Sequence, residues 1–161
     1  MSKFIFLTKG QKTIVDDDTY EWANKFKWYA MGIRDQYYVC RKSRGDEVLK
    51  GEKRKVVLLG RQIMNTPVGM TVDHINNNPL DNRRINLRNC TFSQNLVNRR
   101  YYGNKTAKQR GAYKMRGVFL ALISINGKGV YLGYFKTEAE AHNAYVKAAR
   151  ELYGEYVNKN V

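Results

Sequence analysis

At 161 residues with 43% hydrophobic content, the chain is long enough for one ordinary domain or two small modules, which excludes a large catalytic scaffold. Its 29 Lys and Arg against 14 Asp and Glu, a net +15, favour a polyanionic partner over an acidic or neutral one. The only cysteines, Cys40 and Cys90, form no Cys-x-x-Cys pair, which excludes a disulfide framework and a zinc ribbon and points to a reducing compartment.

The chain opens with Met1 to Gly10, whose apolar run between Lys3 and Lys9 is too short for a signal or membrane segment, so a cytoplasmic protein with no membrane association is expected. Phe4 to Leu7, Tyr37 to Cys40 and Val56 to Leu59 read as strands of a small antiparallel sheet. Between the first two runs, Asp18 followed by Glu21 resembles a capping box. It would start a helix that buries Tyr20, Trp22, Ala23 and Phe26 ahead of Trp28. These aromatics read as core, with a base-stacking surface as the alternative. Residues 71 to 100 are rich in Asn and Arg, with a turn at Asn76 to Pro79 and a helix predicted over Ser93 to Arg100. Tyr101 to Gln109 has no apolar periodicity and reads as a linker. Beyond it, Val118 to Ile125 and Val130 to Phe135 are strand-like runs joined by Asn126-Gly127, a tight hairpin signal. Thr137 with Glu140 then caps a helix whose apolar stripe is Ala141, Ala144, Tyr145, Ala148 and Leu152, ended by Gly154. Split at residues 60 and 105, each part of the chain nets +5. No single basic tail explains the charge, so the whole molecule is expected to lie along its partner and to release it as salt rises.

The chemistry concentrates at Asp73-His74. Hydrolysis of a phosphodiester needs a general base to deprotonate water and a cation to stabilise the charge that develops on the phosphate. A histidine, with an ordinary pKa of about 6.5, suits the first task near pH 7. A carboxylate suits the second, and Asn95 in the first turn of the next helix offers a further oxygen. Adjacent strand residues point to opposite faces, so both address one site only where the strand bends, as the Asn76 to Pro79 turn allows. Arg83, Arg84, Arg88, Arg99 and Arg100 surround this segment as candidate phosphate clamps. His142, in the C-terminal helix without acidic neighbours at ligand spacing, is assigned no chemistry.

The runs Val72-Asp73-His74-Ile75-Asn76, Asn78-Pro79-Leu80-Asp81-Asn82-Arg83-Arg84, Asn86-Leu87-Arg88 and Ser93-Gln94-Asn95 resemble the HNH homing endonucleases of phages and mobile introns. The resemblance implies a ββα-metal fold on one divalent ion, with His74 as general base, Asp73 and Asn95 as metal ligands, and Asn86 holding the histidine loop. It also implies products with a 5′ phosphate and a 3′ hydroxyl. An aspartate and an amide favour Mg2+, with Mn2+ as a substitute, and zinc is not expected. The chain departs from that family at Gly60, where related chains tend to carry a His before the Arg.

Arg110-Gly111-Ala112-Tyr113, Tyr131-Leu132-Gly133-Tyr134-Phe135 and Thr137 to Ala141 resemble the DNA-binding domain of the plant ethylene-response factors. That likeness implies a three-stranded sheet that meets the major groove, with Arg110, Lys114, Arg116 and Lys128 on phosphate or groove. Phe119-Leu120-Ala121-Leu122 departs from it, and Leu120 and Leu122 are expected to face a protein surface or a second copy.

The resulting expectation is an α+β chain. A small antiparallel sheet with a helix spans 1–64, a ββα-metal nuclease motif 65–100, a linker 101–108, and a three-stranded antiparallel sheet packed on one helix 109–161. The partner is double-stranded DNA. A non-cutting DNA-binding regulator on the same scaffold is the alternative, and an RNA-binding module a third.

Overall fold

The computed structural model describes residues 1–33, 35–47, 55–99, 101, 103, 108–125 and 127–158. Two compact units emerge, Met1–Cys90 and Thr91–Val161. The division falls inside the segment 65–100 that the sequence reads as one motif. Among the described residues, no helix is long and apolar enough to cross a membrane.

In the first unit, β1 (Ser2–Phe6) and β2 (Lys12–Asp16) form an antiparallel hairpin. Its turn places both Lys9 (φ 58°) and Gly10 (φ 65°) in the left-handed region, which suits the right-handed twist of the paired strands. Helix α1 (Asp17–Ala23) follows directly. The expected Asp18–Glu21 capping box is absent there: Asp16 occupies the N-cap without capping the helix, because its carboxylate accepts the Arg84 N–H at 2.7 Å. Strands β3 (Tyr29–Ile33), β4 (Gln36–Lys42) and β5 (Val56–Leu58) then form an antiparallel sheet in the order β3-β4-β5. After α2 (Leu59–Ile63), β6 (Thr71–His74) and β7 (Leu87–Cys90) pair as a second hairpin.

One core joins these pieces. Ile5, Val15, Ala23, Trp28, Val39, Leu59, Ile63 and Leu87 are buried together. Trp28 is wholly enclosed, and its indole N–H donates to the Ala23 carbonyl at 2.8 Å. The aromatic cluster is therefore core, with Trp22, Phe26 and Tyr20 half-buried around Trp28. Arg41 is also buried, stacked 4.3 Å over Phe26 and doubly bonded to Glu47 at 2.6 and 2.7 Å.

The second unit starts with α3 (Phe92–Asn98), which Thr91 and Gln94 cap reciprocally. Strands β8 (Ala112–Met115), β9 (Val118–Ile125) and β10 (Lys128–Phe135) form an antiparallel sheet with β9 in the middle. Helix α4 (Glu138–Tyr153) packs on it and carries the predicted Thr137–Glu140 capping box. Asn126, the first residue of the predicted turn, lies outside the described residues. Ala112, Ala121 and Ala141 meet in one cluster, and Ile123, Tyr145, Ala149, Val97 and Val157 in another. Gly111 (φ 78°) approaches α4 so closely that a Cβ there would lie 2.2 Å from the Tyr145 ring, so only glycine fits. Leu152, expected on the apolar stripe, is 49% exposed. The last turn of α4 is anchored instead by Tyr153, whose hydroxyl donates to the Ser124 carbonyl at 3.0 Å.

Candidate active site

Asp73 and His74 end β6, and antiparallel register sets Asp73 opposite Arg88 and His74 opposite Leu87. Directly paired residues share a face, so Asp73 and Arg88 meet. Arg88 Nε and Nη2 lie 2.8 and 2.7 Å from the same Asp73 Oδ2, and both side chains are largely enclosed. Strand alternation sends His74 the other way, toward α2 and the following loop. Its Nε2 lies 3.3 Å from Asn82 Oδ1, and a Cβ on Gly60 would lie 3.9 Å from its Cε1. Burial pushes the His74 imidazole below its ordinary value of 6.5, against weaker pulls upward from Asn82, Asp73 and Asp81. The ring is therefore neutral at pH 7, the form a general base requires.

The loop between the strands is built by its own asparagines. Asn77 N–H donates to the His74 carbonyl at 2.8 Å, and Asn77 takes φ 60°, which Asn tolerates better than most residues. Asn76 Oδ1 accepts the Asn78 N–H, and Asn78 Oδ1 accepts the Leu80 N–H, so side chains stand in for turn backbone. Asn86, 6% exposed, closes the loop from both ends: its Oδ1 accepts the Asn76 N–H at 3.0 Å and its Nδ2 donates to the Asp81 carbonyl at 2.8 Å. The Asp81 carboxylate accepts from Asn76 Nδ2 at 2.9 Å and from both arms of Arg83 at 2.8 and 2.7 Å, and Arg83 holds it below the usual carboxylate range. From the other side β2 braces the loop. Ile14 N–H donates to the Leu80 carbonyl at 3.0 Å, and Asn82 N–H donates to the Ile14 carbonyl at 2.9 Å.

The remaining predicted residues are placed unevenly. Asn95 is half-buried on α3, in the second unit. Arg84 is exposed, donating to the Ile63 carbonyl at 2.9 Å and lying 3.6 Å from Asp18. Arg99, Lys114, Arg116 and Lys128 are exposed, while Arg100 lies outside the described residues. Arg110 is engaged by its own unit: it donates to the carbonyls of Leu96 and Val97 at 2.9 Å and to that of Arg99, and so satisfies the open end of α3. His142 Nδ1 donates to the Arg110 carbonyl at 2.8 Å, a structural bond. Cys90, buried at the end of β7, is pushed up to about 11 first by burial, then by Asp73, which keeps it a thiol at neutral pH.

Sequence reasoning missed the Arg88–Asp73 pair, the Asn82–His74 bond and the bracing by β2. The first was legible in principle, because fixing the turn at 76–86 sets the register that puts Asp73 opposite Arg88. The other two had no local signal.

The donors suit a hard divalent cation, with Asp73 offering a carboxylate next to a neutral histidine. Asp73 Oδ2 is already engaged by Arg88, so a cation at Asp73 would share that carboxylate or displace the guanidinium. Among the described residues, no three His, Cys, Asp or Glu side chains gather as a metal cluster.

A hairpin that presents His and Asp above an asparagine-closed loop has a counterpart among known families: residues 65–97 match the family described as HNH endonuclease. The matched stretch contains Asp73, His74, Asn82, Asn86, Arg88 and Asn95. At the level of single proteins, the chain is 29% identical over 153 residues to an uncharacterized HNH endonuclease of Acanthamoeba polyphaga mimivirus, covering 94% of this chain and 76% of the viral one. No solved structure matches.

Proposed function

We propose that the chain is a site-specific DNA endonuclease that hydrolyses phosphodiester bonds with one divalent metal, a homing-type enzyme that nicks or cleaves double-stranded DNA. One observation carries the reading: a half-buried imidazole, pushed below its ordinary pKa by burial, directly follows a buried carboxylate at the end of a hairpin strand whose loop is locked by Asn76, Asp81 and Asn86. His74 takes the proton of the attacking water. Asp73 would hold the ion, magnesium or manganese in its place, with Asn95 assigned as its second protein ligand from the sequence motif. The bound ion would stabilise charge on the phosphate. Asn86 keeps His74 in place by closing the loop.

The basic side chains give the affinity. Arg84 in the first unit, which also donates to the Ile63 carbonyl, and Arg99, Lys114, Arg116 and Lys128 in the second are exposed at the surface, where phosphate can be met. Acidic charge in the second unit is confined to one side, since Glu138, Glu140, Glu151 and Glu155 all lie in or just after α4, alongside Lys147 and Arg150, while the charged residues of the strands are all basic. That division supports the sheet as the DNA-facing side. Arg83, Arg88 and Arg110 act mainly inside the protein, as partners of Asp81, Asp73 and the α3 carbonyls.

Supercoiled plasmid that carries the encoding locus tests the reading. Nicked or linear product with magnesium, none with chelator and none from Asp73→Ala is the expected result. Equal product from wild type and Asp73→Ala, or no cutting by wild type with magnesium or manganese, would overturn it.

A further inference from the structure

We infer that Asn82 is a positioning residue that fixes the tautomer of His74, with the proton on Nε2 and the lone pair on Nδ1. Only the catalytic consequence rests on the proposed nuclease function; the tautomer follows from a chain of buried hydrogen bonds whose direction chemistry leaves no freedom to reverse.

The chain starts at Leu80, whose carbonyl can only accept. It therefore takes the proton of the Thr13 hydroxyl, 2.8 Å away, and leaves Thr13 Oγ1 as an acceptor toward its other neighbour. That neighbour is Asn82 Nδ2, at 3.0 Å. The same nitrogen lies 3.0 Å from the Pro79 carbonyl, another obligate acceptor. Both amide hydrogens of Asn82 are thus committed, and the amide cannot be turned round without setting its oxygen against two acceptors. Thr13 is fully enclosed and Asn82 is 2% exposed, so a reversed amide would leave these groups unpaired away from water. Asn82 Oδ1 must then face His74, and an oxygen 3.3 Å from Nε2 calls for a hydrogen on that nitrogen. A neutral imidazole has one N–H, so its basic lone pair is on Nδ1.

Two features show that the arrangement is built into the fold. Thr13 and Asn82 are 69 residues apart, and the contact exists because β2 docks on the loop through Ile14. Gly60 gives the pair its room: a Cβ there would lie 3.3 Å from Asn82 Oδ1 and press on the acceptor itself. His142 supplies an internal contrast. Its Nδ1 faces the Arg110 carbonyl at 2.8 Å, so the only other histidine of the chain must hold the opposite tautomer.

The experiment is a long-range proton–nitrogen correlation spectrum of the 15N-labelled full chain, without metal or DNA, at a pH where both imidazoles are neutral. The expected spectrum has one ring protonated on Nε2 and one on Nδ1, and His142→Gln removes only the second. A His74 ring protonated on Nδ1, or averaged between the two forms, would overturn the tautomer. Asn82→Leu should convert the His74 pattern to an averaged one. Should that variant fail to give a dispersed spectrum, Asn82→Ala, which removes the same acceptor with less bulk, should show the same change. An unchanged Nε2–H pattern in a folded variant would overturn the role of Asn82. With DNA and magnesium, the variant should cut about 10- to 100-fold more slowly at unchanged DNA affinity, the range for partners that orient a functional histidine. A wild type with the expected spectrum and no cleavage would remove the nuclease function while leaving the positioning role intact.

Discussion

Replacing Arg88 by Met keeps most of the aliphatic stem and removes the charge that faces Asp73. The separation is 2.7 Å, with the carboxylate side chain 4% exposed and the guanidinium side chain 13%. At an effective dielectric of about 20, two unit charges at that distance attract by roughly 6 kcal/mol before desolvation is counted. Removing one member of such a pair costs about 3–5 kcal/mol, since the other charge stays enclosed. Urea unfolding followed by the Trp28 fluorescence of the first unit, in chelator, should therefore show Arg88→Met less stable by about 3 kcal/mol or more. A cation that binds Asp73 would take over the compensation, and a hundredfold excess of ligand over its Kd adds about 2.7 kcal/mol. Magnesium should accordingly stabilise the variant more than the wild type, whose carboxylate is already shared with Arg88. A loss under about 1 kcal/mol in chelator would refute the buried-pair argument. An equal response of both proteins to magnesium would refute Asp73 as a metal ligand.

Asn86→Ala strips partners from the Asn76 N–H and the Asp81 carbonyl and should cost about 2–3 kcal/mol in urea. Asn86→Asp keeps the acceptor but sets an unpaired buried charge against the Asp81 carbonyl, and should be no more stable than Asn86→Ala at neutral pH. Gly111→Ala sets a methyl inside the Tyr145 ring at a positive φ, and a drop in Tm of the second unit by scanning calorimetry is expected; an unchanged Tm would show that α4 does not lie where Tyr145 puts it. The Arg41 guanidinium holds the Glu47 carboxyl down to about 2 from an ordinary 4.5. The unfolded chain thus takes up this proton first as pH falls, so the stability from Glu47 is complete above about 4.5 and lost as pH descends through about 2. Glu47→Gln should flatten that limb of the pH–stability curve, as measured by acid titration of the circular-dichroism signal.

What was legible in the sequence was local. The Thr137–Glu140 capping box, the strand Val118–Ile125 and the helix predicted over Ser93 to Arg100 depend on neighbours a few residues away; the structure has the first two as read and the helix at Phe92–Asn98. Strands β2 and β3 escaped notice because five-residue segments such as Lys12–Asp16, or Tyr29–Ile33 with Gly32 inside it, have too little alternation to stand out. The Asp18–Glu21 box misled for the converse reason, since Asp16 is drawn to Arg84, 68 residues away. The site divides in the same way. Asp73-His74 is conspicuous because two chemically potent side chains are adjacent, whereas Thr13 and Asn82 act through a fold-dependent contact no spacing rule reveals. Arg88 and Arg110 are a third case: an arginine in a basic chain suggests phosphate, yet register and a helix end commit these two to Asp73 and to the α3 carbonyls.

The most direct test is single-turnover cleavage of a duplex that carries the cut site, comparing wild type with His74→Ala at enzyme concentrations that saturate the DNA. The account predicts equal binding by both, cleavage by wild type in magnesium, and a loss of at least about 100-fold in the variant, the contribution of a general base. His74→Ala that cuts at the wild-type rate, or a wild type that binds tightly and never cuts, would contradict it.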